Sequence, residues 1–296
     1  MQNILNIYKG VKEMAIRIVT DSTSYIPKEY IQKYDIKIVS LNVVMNGASR
    51  REVDIDNKYF YEEMNESNEI PKSSQPVPQE MIDVFKGIVE TGDSIVGIFL
   101  SSKMSGTYST ANMAKDMILE EYPNADIRIL DSKSNCMQMG FAVIEAAKAS
   151  AEGKNIEDAI AIAEHVFNNS RFLFTPETLD YLKKGGRIGG AAALFGNIFQ
   201  IRPILTVVDG ETSVFKKVRT RKKVIDEIVK EALVDIKANG LGDVIVHHIN
   251  SEEDGLKLAK VLEEKLYRKV SIQSIGPVIG LHVGPGSIGI AYYTRN

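Results

Sequence analysis

Ser94-Ile95-Val96-Gly97-Ile98-Phe99-Leu100 passes without a linker into Ser101-Ser102-Lys103-Met104-Ser105-Gly106-Thr107, and a helical stretch then continues to about Glu121. An apolar strand, a hydroxyl-rich turn and a helix make a βα unit, whose turn presents backbone N–H groups to an anion. The same unit stands earlier in the chain. Ile16 to Thr20 leads into Asp21-Ser22-Thr23-Ser24, and Pro27 opens a short helix there, a position that proline favours. It stands again later, where Ile127 to Leu130 leads into Asp131-Ser132 and a helix from about Met137 to Ala151. A further β-branched strand is predicted from Ile36 to Val44. Alternating strands and helices specify an α/β fold with a mostly parallel sheet and right-handed crossovers. Ligands of such sheets sit beyond the carboxyl ends of the strands, and the turns at Asp21, Ser101 and Asp131 all belong to that side.

The polar, acidic stretch from Asn46 to Lys72 is expected to be helix and loop, with Glu62, Glu63 and Glu66 on a solvated helix face. It ends in Ser73-Ser74-Gln75-Pro76-Val77-Pro78, whose prolines stop regular structure and whose hydroxyls are displayed. Gly153 breaks the chain, and Asn155 is placed to cap a helix with Ile156, Ile160, Ala163 and Phe167 on one stripe. The texture then changes. A strand at Phe172 to Phe174 and a short helix from Pro176 to Lys184 come first. The small, apolar run Arg187 to Phe199 follows, and then a hairpin turning at Asp209-Gly210. A long helix around Val224 to Ile236 precedes strand Val244 to Ile249, helix Glu252 to Tyr267 and strands Val270 to Ile275 and Ile288 to Tyr293. Residues 1–14 look like an extension. The predicted domains are an amino-terminal α/β domain over 15–165 and a smaller carboxy-terminal α/β domain over 166–296.

Between the last two strands lies Gly276-Pro277-Val278-Ile279-Gly280-Leu281-His282-Val283-Gly284-Pro285-Gly286, with four glycines and two prolines around one histidine. It is expected to be a shaped loop, since glycine opens backbone angles closed to other residues and proline fixes its own φ. His282 on such a loop either grips a ligand or simply packs. The Ser101–Thr107 turn is likewise either a helix cap or a site, although a cap uses one hydroxyl and this turn offers four. Taken together, hydroxyls, helix N–H groups and a histidine suit a single anionic head group, a carboxylate rather than a highly charged phosphate. A Ser-His hydrolase lacks its Gly-x-Ser-x-Gly elbow.

Composition limits the remaining choices. Among 296 residues, 44% are hydrophobic and 25% charged, as in a globular protein with sizeable cores. A net charge of -3 argues against nucleic acid. The single Cys136 fits a reducing cytoplasm and, with no activating neighbour in sequence, an inert buried thiol. No apolar run approaches the roughly 18 residues of a membrane span, and Met1 to Glu13 lack the apolar core of an export signal. No phosphate-cradling glycine loop and no cluster with metal spacing is present. His247 and His248 point to opposite faces of a strand and are expected to be structural or solvent-facing; His165 is expected at the surface.

The ordered set Thr20-Asp21-Ser22-Thr23, Ser73-Ser74-Gln75-Pro76, Ser101-Ser102-Lys103-Met104-Ser105-Gly106-Thr107-Tyr108, Asp131-Ser132, Leu182-Lys183-Lys184-Gly185-Gly186-Arg187-Ile188 and the Gly276 to Gly286 segment resembles the DegV family of bacterial fatty-acid-binding proteins. The resemblance spans residues 15 to 296. It implies a two-domain fold with an acyl chain buried between and within the domains. The implied function is that of a carrier that presents the carboxylate of a long-chain fatty acid to a fatty acid kinase, which makes acyl phosphate for phospholipid synthesis. It further implies a bacterial, cytoplasmic protein with no catalytic residue, metal or cofactor of its own, touching membranes at most transiently. Ser105, Gly106 and His282 match the carboxylate-binding positions, and Ser73 keeps the hydroxyl where the family usually has threonine. Val77 and Leu281 stand where serine and threonine are frequent. Ser74 and Ser102 are candidate additional contacts. Ala192, Phe195 and Ile198, in the run from Ala191 to Phe199, are candidates for a tail tunnel, or else ordinary core. Because the family is related in fold to the dihydroxyacetone-binding subunit of a phosphotransfer kinase, the alternative is a kinase subunit holding a small carbonyl compound through His282.

Overall fold

The computed structural model describes residues 15–67, 70–194 and 201–296. The extension predicted for residues 1–14, and the candidate tunnel residues Phe195 and Ile198, lie outside the described residues. The chain opens with β1 (Ile16–Asp21), α1 (Lys28–Tyr34), β2 (Lys37–Val39), β3 (Asn42–Met45), β4 (Ala48–Arg51), α2 (Asn57–Glu66), β5 (Lys72–Ser74) and α3 (Pro78–Val89). It continues through β6 (Ser94–Phe99), α4 (Thr107–Glu121), β7 (Ile127–Asp131), α5 (Cys136–Ala151) and α6 (Ile156–Asn168).

β6 is a near-continuous apolar run, the mark of a strand covered on both faces, and β1 and β7 flank it. With β2 they form a wholly parallel sheet in the order β2-β1-β6-β7. Helices α3 and α4 cover one face, where Met81, Phe85 and Ile118 pack on Val19, Ile95 and Phe99. The predicted strand from Ile36 to Val44 is in fact two strands in different sheets. Leu41 N donates to Ser22 Oγ at 3.1 Å, and Ser40 Oγ donates to Leu41 O at 2.8 Å. Side-chain bonds thereby occupy backbone groups that a continuous ladder would have used. The expectation of helix and loop over Asn46 to Lys72 is corrected as well. Asn46 and Gly47, at φ 51° and 75°, make a two-residue hairpin turn between β3 and β4. β5 joins the other edge of β3, giving an antiparallel sheet β4-β3-β5.

The second half contains β8 (Ser170–Thr175), α7 (Asp180–Lys184), a 3-10 turn at Gly189–Leu194, β9 (Arg202–Val208), β10 (Glu211–Val218) and α8 (Arg221–Asn239). β11 (Leu241–His248), α9 (Glu252–Leu266), β12 (Ser271–Ser274), α10 (Pro277–Val283) and β13 (Ile288–Thr294) complete it. Its sheet runs β10-β9-β8-β13-β11-β12 and is antiparallel except for the β11–β12 pair. Helices α8 and α9 cover one face through Val224, Ile228, Leu258 and Leu262. The other face meets α5, which also packs on β1 and β6. An apolar sequence on nearly every side suits a helix enclosed by two sheets, and Met137, Phe141, Phe172 and Ala291 share one core across the halves. The expected boundary at residue 165 lies inside α6, the helix that leads from one sheet to the other. Among the described residues, no helix is long and apolar enough to cross a membrane.

Candidate functional site

The segment expected to be a glycine-rich loop is largely a short helix, α10. Pro277 at its first position and Gly284 at φ 91° just past its end are ordinary start and stop residues. Its first-turn N–H groups find partners in the first half of the chain. Val278 N donates to Glu52 Oε1 at 2.8 Å, and Ile279 N donates to Tyr25 Oη at 3.2 Å. Tyr25 Oη and Ser22 Oγ donate to the same buried carboxylate. Gly280 is required by close approach, because a Cβ there would fall 1.9 Å from Tyr61 Oη, and that hydroxyl donates to the Ile275 carbonyl at 3.0 Å. So anchored, α10 holds His282 buried at its far end.

His282 Nε2 lies 2.8 Å from Ser73 Oγ on β5, and Val43 on β3 pairs with Ser73 to set its place. His282 Nδ1 is buried without a hydrogen-bond partner among the described residues. Gly185 packs against it so closely that a Cβ would come within 2.3 Å of the ring nitrogen. Burial first, and the nearby Arg187 guanidinium second, lower the His282 pKa to about 4, so the imidazole is neutral near pH 7 and has one N–H to donate.

The Ser73–His282 pair stands at a cavity of about 310 Å³, at the lower end of the usual range for small-molecule sites. Ser74, Gln75, Ser105, Gly106 and Arg187 also line it. Ser105 Oγ accepts Thr107 N at 3.3 Å and lies 2.9 Å from Thr107 Oγ1, so it serves the start of α4 while facing the cavity. Gly106 allows Gln75 to pack on the backbone, since a Cβ would meet Gln75 Oε1 at 2.1 Å. Deeper in, Leu41, Leu100, Phe172, Phe174, Val278 and Ile279 form an apolar wall.

Two expected contacts belong elsewhere. Ser102 does not line the cavity: its Oγ donates to Asp131 Oδ2 at 2.6 Å, and the carboxylate of the adjacent parallel strand holds it at the surface. Ala192 is exposed, because the 3-10 turn directs only its neighbours Ala191 and Leu194 into the core. The apolar wall of the cavity comes instead from β8 and α10, together with Leu41 and Leu100. The i, i+2 spacing of Phe172 and Phe174 was a sequence signal for one face of a strand.

His247, expected to be structural or solvent-facing, is buried with both ring nitrogens hydrogen-bonded and also lines the cavity, while His248 accepts Ser251 N at 3.3 Å on the other side of the strand. Sequence reasoning missed Arg187. Arg187 donates from Nε to Met104 O at 3.1 Å and from Nη1 to Gly185 O at 2.6 Å. It reaches both the cavity and a neighbouring surface hollow lined by Lys72, Lys184 and His282. Asp21, on the first hydroxyl turn, is buried structure: its carboxylate accepts Thr23 N at 2.9 Å and Leu100 N at 2.8 Å, joining the ends of β1 and β6.

A family model described as uncharacterised proteins of the DegV family matches residues 15–295. The chain is 53% identical over 282 residues to a DegV domain-containing protein of Clostridium acetobutylicum, covering 95% of this chain and 99% of that one. Among solved structures, it superposes on DegV of Bacillus subtilis, described as a fatty-acid-binding protein, with a TM-score of 0.85 and 34% identity over 95% of this chain and 99% of that one. A stearic-acid-binding protein of Eubacterium ventriosum gives a TM-score of 0.87 and 31% identity, covering 95% and 98% of the two chains.

Proposed function

The chain belongs to the DegV family, and from that premise we propose that it is a fatty-acid carrier that presents the carboxylate of its ligand to a kinase. The observation that carries the reading is the Ser73–His282 pair, joined across the two halves of the chain at the head of an apolar cavity. In this reading the hydroxyls of Ser73 and Ser105, the backbone at Gly106 and the His282 imidazole hold the carboxylate, and the acyl chain lies along the apolar wall. The tail dominates affinity, since each buried methylene contributes about 0.8 kcal/mol. The head must still be hydrogen-bonded, because an unpaired buried carboxylate is strongly disfavoured.

The hollow outside His282 carries Lys72, Lys184 and Arg187. Cations there suit the extra charge that a phosphoryl group would bring, and they supply a face for a kinase to approach. The carrier itself performs no catalysis in this reading and works in the cytoplasm. The apolar wall also favours a lipid over a small carbonyl compound held by His282. Organic extraction of the purified protein followed by mass spectrometry tests the proposal. A fatty acid should be released, and added fatty acid should raise the melting temperature; if neither happens, the carrier reading is wrong. Changes at Ser73 or His282 should impair phosphorylation by a partner kinase more than they impair binding, because transfer needs the carboxylate in one geometry.

A further inference from the structure

Asn135 stands directly before α5, where an asparagine side chain ordinarily accepts an N–H of the first turn. Here it makes no such bond. The N–H of Met137 donates instead to His247 Nε2 at 3.2 Å. His247 Nδ1 faces the Gln273 carbonyl at 3.1 Å, and burial holds the ring neutral, with a pKa lowered to about 4. Both ring nitrogens are thus engaged, and the capping duty has passed from Asn135 to His247.

What remains to the Asn135 amide is poor. Its Nδ2 donates to Met104 Sδ at 3.1 Å, a weak acceptor. Its Oδ1 is buried with no hydrogen-bond partner among the described residues. The residue is only 7% exposed and lines the cavity beside Leu100, Phe172 and His247. An under-bonded buried amide is destabilising. The next residue adds to this, for Cys136 sits at φ 51°, in the left-handed region that non-glycine residues seldom occupy. A polar group entering the cavity would supply the missing partner.

We propose that Asn135 is a polar subsite in the acyl wall and that the preferred ligand is a fatty acid with a hydroxyl along its chain. The inference rests on the fatty-acid reading of the same cavity. A hydroxyl both donates and accepts, so it can bond to either end of the amide; a plain alkyl chain leaves the amide as it is. Hydroxyls out of reach of Asn135 lose their water on entry and gain no partner, so selectivity should depend on position.

Stearic acids bearing one hydroxyl at successive carbons, and stearic acid itself, are competed against a fluorescent fatty acid on the wild-type protein and on Asn135→Leu. In the wild type, one isomer should bind at least as tightly as stearic acid, and isomers hydroxylated elsewhere about tenfold more weakly. In N135L, stearic acid should bind ahead of every isomer. The wild-type ranking decides the matter even if N135L fails to fold. Stearic acid binding ahead of all isomers in the wild type would mean that water or the protein alone serves the amide, and would overturn the proposal while leaving the carrier reading intact. An unchanged ranking in N135L would overturn it too. Failure of stearic acid and all isomers to bind would overturn both.

Discussion

The Glu52 carboxylate accepts the backbone N–H of Val278 at 2.8 Å, across 226 positions of chain. This bond, with those from Tyr25 and Ser22 to the same carboxylate, seats the helix that carries His282 on the amino-terminal half. Glu52→Ala would leave the buried Ser22 Oγ and Val278 N without their acceptor and Tyr25 Oη with only the Gly276 carbonyl at 3.3 Å, so the loss should be about 2 kcal/mol or more. Glu52→Gln keeps one oxygen for Val278 and should lose less. Fatty-acid affinity should fall with stability in E52A, because His282 loses its support. Urea unfolding of both variants measures the effect; an E52A midpoint equal to that of the wild type would show that α10 is held by other means.

The buried titrating groups predict a pH profile with opposing parts. Burial raises Glu52 from 4.5 to about 7 and Asp21 from 3.8 to about 6. Both take up protons in the folded state first, so their contribution to stability is full below the unfolded values and is lost as pH rises through 6 and 7. His247 and His282 are lowered from 6.5 to about 4, burial again leading. Their contribution is present above 6.5 and is lost as pH falls through 4. Between about pH 4.5 and 6 the two pairs work against each other, and wild-type stability should change little. Removing one member exposes the other side, by up to about 1.4 kcal/mol per pH unit for each group. Relative to the wild type, E52Q should lose stability on going from pH 7.5 to 5, and His282→Asn should gain it. Parallel profiles for the two variants would contradict this account.

Much of the first sheet was legible because β1, β6 and β7 each lead into a hydroxyl turn, a local signal. α10 was misread because its glycines and prolines were counted as loop residues. Pro277 and Gly284 are boundary signals, and Gly280 answers to Tyr61, a partner from α2 that sequence cannot place beside it. Glu52 gave no warning for the same reason. It stands in a polar stretch and is buried only when α10 docks. Ser73 and His282 could be matched to a familiar pattern, but their contact depends on β5 pairing with β3, and the weak three-residue strand Lys72–Ser74 was taken for loop. Asn135 carries no signal in sequence, where the helix starts at about Met137, and only the position of His247 shows an amide left without the first-turn N–H.

Gly185 offers a test of how tightly the imidazole is set. Its φ of -76° suits alanine, so the backbone should tolerate the change. The new Cβ, however, would meet His282 Nδ1 at 2.3 Å. The ring must move away from Gly185 and out of line with Ser73. Gly185→Ala should therefore weaken fatty-acid binding by about one hydrogen bond to a charged group, roughly 1.5–3 kcal/mol, with a smaller effect on melting temperature. Fluorescent fatty-acid titration beside a thermal melt separates the two. A variant that melts much lower yet binds normally would place the strain in the fold and the head group away from His282.

The head group itself can be tested through protons. Ser73→Ala, Ser105→Ala and His282→Ala should each weaken binding by about 1.5–3 kcal/mol without abolishing it, since the tail supplies most of the affinity. His282 is neutral in the empty site, held down by burial and by Arg187. A carboxylate within hydrogen-bond reach favours the imidazolium and raises its pKa. Binding should then take up a proton, and affinity should rise as pH falls from 8 toward 6, by at most about tenfold per pH unit for one linked proton. His282→Asn keeps a hydrogen-bonding side chain and removes the titration, so it should flatten that slope, whereas S73A should weaken binding and retain it. Calorimetric titrations in buffers of different ionisation enthalpy count the protons directly. If the wild type takes up none and H282N binds with the same pH dependence, the carboxylate does not face His282, and the head-group site must be sought elsewhere along the cavity.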